Sequence, residues 1–272
     1  MTTGPIGVFD SGVGGLTVLR ALRERLPDSD FVYLGDTARL PYGTKSPDTV
    51  RRYALQAAEA LRTYHVRALV VACNTASGVA LDVLTARWPE VPVVGVVEPG
   101  AAAACARSPR GEIAVIGTES TIRGGAYQAA IARLRPEARV RARACSVFVA
   151  LAEEGWFDTA AAEAVARAYL GDWLEGPEPP DALVLGCTHF PVLAGLIRRI
   201  AGDELELVDS ASTTAAVLAD RLEAGGAAAP SGRAAAGGVR FLATDGAERF
   251  ARVGGRFLGT ELDPAAIEIV DL

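Results

Sequence analysis

The chain has 272 residues, half of them hydrophobic, and a formal net charge of −6. It is a globular chain long enough for one or two domains. Its basic residues are scattered, which argues against nucleic acid as a partner, and no apolar run nears the roughly 18 residues of a membrane-spanning helix.

Met1-Thr2-Thr3-Gly4-Pro5 leads straight into a strand with no basic leader, so a cytoplasmic protein with no membrane partner is expected. Ile6–Phe9 reads as that strand and Gly14–Leu26 as a helix. Phe31–Leu34 is the next strand, and Asp48–Thr63 a helix with Asp at its start. Ala68–Ala72 is a strand followed by a helix from about Ser77 to Arg87. Val91–Val97 is a strand and Ala101–Arg107 an Ala-rich helix. Alternation of this kind predicts a parallel, doubly wound sheet.

The pattern then restarts. Glu112–Ile116 reads as a strand and a helix follows to about Leu134. Val140–Cys145 is a strand whose alternating arginines, Arg139 to Arg143, mark a solvent face. Helices are expected near Phe148–Glu154 and Asp158–Leu174, then a Pro-rich connector at Gly176–Pro180 and a strand at Ala182–Gly186. Toward the C-terminus, Ser210–Ala224 is helical and Gly225–Gly238 is a loop. Val239–Thr244 is a strand, Gly246–Phe257 a helix and Ala266–Val270 a last strand.

Two pairs of segments repeat at similar spacing. Ile6-Gly7-Val8-Phe9-Asp10-Ser11 resembles Ile113-Ala114-Val115-Ile116-Gly117-Thr118. Ala68 to Thr75, ending Ala-Cys-Asn-Thr, resembles Ala182 to His189, ending Gly-Cys-Thr-His. The fold class predicted is α/β, with two pseudo-symmetric doubly wound domains, mainly parallel sheets, and an active site in the cleft between them. Residues 1–97 plus 208–272 form the first, discontinuous domain and 98–207 the second.

Four cysteines, Cys73, Cys105, Cys145 and Cys187, include no CxxC pair, and there are only two histidines, His65 and His189. Neither a disulfide framework nor a metal site is expected. Lys45 is the only lysine and lies in a polar loop with no phosphate cradle, which argues against a pyridoxal Schiff base.

Asp10-Ser11-Gly12-Val13-Gly14-Gly15 is neither a dinucleotide fingerprint nor a Walker loop. It reads as a helix N-terminus able to receive a small anion. Gly35-Asp36 ends the second strand, and the loop beyond offers the backbone of Tyr42 and Gly43. Cys73 alone reads as a small core residue, but Asn74 and Thr75 after it place the thiol at a polar strand end. Cys187 repeats this, and His189 two residues on could share its proton. Cys105 and Cys145 lack such clusters and read as packing, and His65 as surface. Asp10, Glu98, Glu119, Glu153 and Glu154 are carboxylates near strand or helix ends, and residue-level reading leaves solvated helix ends open for the last two.

At these residues the chain resembles the cofactor-independent aspartate/glutamate racemase family. The resemblance is carried by Ile6 to Leu16, Tyr33 to Gly43, Cys73 to Ser77 and Leu185 to Pro191. It runs to about Ser210 and returns loosely at Phe241 to Gly246. It implies interconversion of L- and D-glutamate without a cofactor, in a bacterial cell making D-glutamate for peptidoglycan. Cys73 would handle the α-proton of the D-isomer and Cys187 that of the L-isomer. Asp10, Asp36, Glu153 and His189 would assist the thiols. Asp10, Ser11, Tyr42, Gly43, Asn74, Thr75, Thr118, Thr188 and His189 would bind substrate, and a homodimer would be usual. Aspartate or hydantoin racemases share the two-thiol logic, and a non-catalytic module binding a small acid is the alternative of a different class.

Overall fold

The computed structural model describes residues 4–225 and 237–272. Strand and helix alternate as β1 (Ile6–Asp10), α1 (Leu16–Arg25), β2 (Phe31–Gly35), α2 (Pro47–Arg62), β3 (Ala68–Val71), α3 (Asn74–Arg87), β4 (Val93–Gly95) and α4 (Val97–Arg107). A second series follows: β5 (Glu112–Gly117), α5 (Glu119–Gly124), α6 (Ala126–Leu134), β6 (Arg139–Ala144), α7 (Val147–Glu154), α8 (Ala160–Leu174), β7 (Ala182–Gly186), α9 (Ala194–Ala201) and β8 (Glu206–Asp209). The chain finishes with α10 (Ser210–Ala224), β9 (Val239–Ala243), α11 (Ala247–Leu258) and β10 (Ile267–Ile269).

The strands form two sheets, in the orders β10-β9-β2-β1-β3-β4 and β6-β5-β7-β8. Every pairing between neighbouring strands is parallel. The run β2-β1-β3-β4 in the first sheet matches β6-β5-β7-β8 in the second. This is the structural form of the repeat: β1 and β5 are each flanked by the strand after and the strand two after. β9 and β10 extend the first sheet beside β2. β8 runs across the expected boundary at 207/208 as part of the second sheet.

The inner strands β1, β3, β5 and β7 are buried on both faces and read as continuous apolar runs, while the edge strand β6 keeps its arginines partly in solvent. In β3, Ala68 and Val70 face one core with Leu16, Leu19 and Leu218, while Leu69 and Val71 face another with Ala54, Leu61 and Leu84. In β7, Leu183 and Leu185 face Phe148 and Phe190, while Ala182 and Val184 face Tyr127 and Ile131. α11 joins the first sheet through Phe250, whose ring meets Tyr33 at 5.9 Å and Phe241 at 6.3 Å between centroids.

Several boundaries differ from expectation for local reasons. α3 begins at Asn74, not Ser77, because Cys73 itself is the N-cap and its Sγ accepts the Ala76 N–H at 3.5 Å. β4 is only three residues long because the chain turns early into α4. The Ser77 hydroxyl accepts the N–H groups of Val96 and Val97 at 3.0 and 3.4 Å, which ends the strand. The single helix expected to Leu134 breaks at Gly125, whose φ of +68° only glycine adopts readily, into α5 and α6. Ser46 caps α2 through the Thr49 N–H, with Asp48 inside the first turn. α9 and β8 had no sequence expectation. The predicted loop Gly225–Gly238 lies mostly outside the described residues.

Among the described residues no helix is long and apolar enough to cross a membrane. Phe250 is 1% exposed and joins α11 to two strands. Phe250→Ala is expected to lower stability by about 3–5 kcal/mol, the usual range for emptying a buried aromatic site. Urea unfolding followed by circular dichroism measures it.

Candidate active site

Both thiols sit where a parallel strand ends. Cys73 follows β3 and opens α3, and Cys187 follows β7 and opens the short turn Phe190–Leu193. They are 6% and 7% exposed. Each therefore lies at the carboxyl end of its sheet, beside the strand where the order reverses, which is the usual ligand position in open parallel sheets. The two share one electrostatic environment. Burial pushes the Cys73 thiol up to about 12, Asp10 adds to the rise, and negative charge on Cys187 adds further. A hydrogen bond with Ser11 and the Ala76 N–H act the other way.

Asp10 ends β1, the neighbour of β3, and is fully buried. Its Oδ2 accepts the Gly12 N–H at 3.0 Å. Burial raises its carboxyl above the ordinary range, against the pull of His189 and of the Gly15, Gly12 and Ser11 backbone. The glycines after it are required by space. A Cβ on Gly15 would stand 2.5 Å from the Asp10 Cβ. A Cβ on Gly14 would stand 2.4 Å from both His189 Nδ1 and Thr188 Oγ1. Thr17 Oγ1, on α1, donates to the Thr188 carbonyl at 3.0 Å. The glycine-rich turn of the first sheet is thus the surface on which the Cys187 loop of the second sheet rests.

His189 stands between a thiol and a carboxylate. Its Nδ1 lies 3.8 Å from Cys187 Sγ and its Nε2 lies 3.1 Å from Glu153 Oε1. Burial alone would depress the imidazole. The hydrogen bonds with Cys187 and Glu153, and their charges, instead lift it to about 10. Glu153 is held below the usual carboxylate range chiefly by its hydrogen bond to His189, in spite of burial, with help from the charges of His189 and Arg249. Of the two adjacent carboxylates, Glu153 carries this bond, while Glu154 is exposed.

The remaining predicted residues fall into two groups. Asp36 is buried and holds the loop after β2: its Oδ2 accepts from Arg39 Nε at 2.7 Å and from the Tyr42 hydroxyl, and its Oδ1 accepts from Thr244 Oγ1 at 3.0 Å. Tyr42 in turn lies close enough for charge on Cys73 to raise its hydroxyl pKa, after burial and Asp36. Next to this loop, a Cβ on Gly43 would meet Thr118 Cβ at 2.7 Å. Thr75, Thr118 and Thr121 bring their hydroxyls within 2.9–3.2 Å of one another. Asn74 Oδ1 accepts the Tyr127 hydroxyl at 2.7 Å, while its buried Nδ2 has no hydrogen-bond partner.

Sequence reasoning missed Arg249, Thr121 and Tyr127. Arg249, Tyr127 and Thr121 lie 96, 53 and 46 residues from Glu153, Asn74 and Thr75, so no local spacing marks those contacts. Other candidates stay outside the site. Cys105 and Cys145 pack into the cores of the second sheet. Glu98 pairs with Arg133 and Glu119 with Arg123 at the surface. His65 is exposed. Among the described residues, no group of three or more His, Cys, Asp or Glu is placed to hold a metal ion.

The family model for Asp/Glu/Hydantoin racemase matches residues 6–218. The glutamate racemase of Geobacter metallireducens is 50% identical, over 94% of this chain and 93% of that one. A glutamate racemase isoform from Bacillus anthracis superposes with a TM-score of 0.91 at 35% identity, over 99% and 98% of the two chains. The glutamate racemase of Francisella tularensis, solved in complex with D-glutamate, gives 0.89 at 35% identity, again over 99% and 98%. The chain belongs to the aspartate/glutamate/hydantoin racemase family. It is an isomerase, an amino-acid racemase.

His189 titrates near 10 in the fold against about 6.5 when unfolded, so the folded chain holds the extra proton. The stabilisation is fully present below about pH 6.5 and is lost as pH rises toward 10. Urea midpoints across that window should fall more steeply for wild type than for His189→Asn. Parallel slopes would show that the imidazole is not held charged.

Proposed function

We propose that the protein interconverts L- and D-glutamate without a cofactor, by a two-base mechanism in which Cys73 and Cys187 work on opposite faces of the α-carbon. The observation that carries this reading is the meeting of two buried, electrostatically coupled thiols at the strand ends of two matching sheets. The kinship to glutamate racemases points the same way. On this reading residues 1–97 with 208–272, and residues 98–207, are the two domains, the second boundary falling within β8, and substrate lies between them.

The α-hydrogen of an amino acid is a very weak acid, and a cofactor-free reaction has no electron sink. Stabilisation must come from donors aimed at the carboxylate as charge develops on it. Helix α3 opens with Asn74 and Thr75, so its N-terminus and the Thr75 hydroxyl can serve this purpose. Ser11, Tyr42, Gly43, Thr118 and Thr188 complete the binding surface, and the unpaired Asn74 Nδ2 offers a further buried donor.

The two thiols have different neighbours. Cys73, pushed up to about 12, holds its proton at rest and becomes a strong base once ionised. His189, up to about 10, presents an imidazolium to Cys187 at 3.8 Å and can exchange a proton with it. L-Glutamate would lose its α-proton to Cys187 and receive one from Cys73 on the other face. The D-isomer would follow the reverse course, with Asp10 beside Cys73 assisting. Asp36 acts by holding Tyr42 in place. Exclusion of water by closure over the substrate strengthens each of these interactions.

The biological setting we infer is D-glutamate supply for bacterial peptidoglycan, in the cytoplasm, by a homodimer. In deuterated water each product enantiomer should carry solvent deuterium at the α-carbon. Cys73→Ala and Cys187→Ala should each lower racemisation at least about a hundredfold. Full activity in either variant would sink the two-thiol mechanism. Turnover of glutamate alone, in a panel with aspartate and hydantoins, separates this substrate from those of related racemases.

A further inference from the structure

We propose that Arg249 is a positioning residue for the Cys187 half of the reaction, holding the Glu153 carboxylate against His189 from the opposite sheet. The proposal rests on the two-thiol reading above. Arg249 lies on α11, which belongs to the first sheet through Phe250. Glu153 lies on α7, which packs into the second sheet through Phe148 and Leu151. The Arg249 Nη2 to Glu153 Oε2 contact of 2.7 Å therefore joins the two halves. The same helix makes two more contacts across the boundary. Arg256 donates to the Glu153 carbonyl, and the Phe257 ring meets the His189 ring edge-on at 5.0 Å.

The carboxylate of Glu153 thus has one oxygen on His189 and the other on Arg249. Two charge-assisted hydrogen bonds at opposite oxygens fix its plane. Stability is a poor account of this pair, because the Arg249 side chain is 52% exposed and an ion pair so open to water contributes little. The chain of contacts runs from Arg249 through Glu153 and His189 to Cys187. Cys73 is built differently. Its hydrogen-bonding partners come from its own half, Ser11 after β1 and the Ala76 N–H in the first turn of α3. Separation of the two sheets would break the Cys187 chain and leave the Cys73 partners in place. The relay of one thiol is complete only when both halves are together.

The charged groups around this relay are few. Glu153 faces His189 and Arg249, with Arg256 on its carbonyl. His189 faces Cys187 and Glu153 and feels Asp10. Loss of the Arg249 cation makes Glu153 easier to protonate, so the acid limb of the pH profile moves to higher pH.

Because the two enantiomers are equal in energy, kcat/KM must fall equally in both directions. The asymmetry appears instead in the isotope effect of each direction. Arg249→Gln should lower kcat/KM about tenfold and shift the acid limb of its pH profile upward. The α-deuterium effect on kcat/KM should rise for deuterated L-glutamate, whose deuteron goes to Cys187, and shrink for deuterated D-glutamate. Arg249→Lys keeps the charge and should restore most of the rate and the acid limb. Arg252→Gln, an exposed change on the same helix, should leave all of these unmoved. Unchanged isotope effects with an unmoved acid limb in Arg249→Gln overturn the proposal, whatever the rate. If Cys187→Ala still exchanges the α-proton of L-glutamate, the two-thiol reading itself has failed.

Discussion

The site depends on the close approach of the glycine-rich turn after β1 to the loop after β7. Gly14 has no side chain, and the space a Cβ would fill is taken by His189 and Thr188. That single omission lets the carboxyl ends of two sheets meet. It lets Asp10, from the first sheet, feel the charge of His189 from the second. It also brings the Cys187 loop within reach of Thr17, whose hydroxyl ties down the Thr188 carbonyl. A larger residue at this point would push the two strand ends apart, and with them the two thiols.

Much of this was legible in the sequence, for a definite reason. Strands buried on both faces, such as Ala68–Val71 and Ala182–Gly186, are short apolar runs bounded by polar residues, and they were found nearly to the residue. The thiols were legible because each run ends in the same way. Helix starts were less so. Cys73 caps α3 with its own sulfur, a use that no ordinary capping preference signals. β4 was overestimated because Val96 and Val97 have strand propensity, and the Ser77 hydroxyl that turns them into a helix lies 19 residues earlier. Arg249 reaches Glu153 across 96 residues and Tyr127 reaches Asn74 across 53. Contacts of that span are made by the fold, and nothing near either partner announces them.

The choice between Glu153 and Glu154 shows the same limit on a smaller scale. Both precede Gly155 at the end of α7, and both look like solvated helix-end charges. Helical geometry separates them by about 100° of rotation. One turns toward the second sheet and meets His189, and the other faces solvent. Periodicity can assign a face to each, but it cannot say which face holds an imidazole from a loop 36 residues away.

The repeated halves carry unequal thiols, and the inequality has a physical origin. At Cys73 the charge that acts most strongly is that of a carboxyl, Asp10, itself buried and raised, so the pocket disfavours negative charge. At Cys187 the neighbour is an imidazole held charged by Glu153, so the pocket carries a compensating positive charge. Two equivalent thiols would offer two bases or two acids. On the proposed two-thiol reading, racemisation needs one of each at any moment, and it needs the roles to exchange after each turnover. A buried carboxyl beside one thiol and an imidazolium beside the other make the two surroundings electrostatically unlike. Burial leaves negative charge on Cys187 able to push the Cys73 thiol up further.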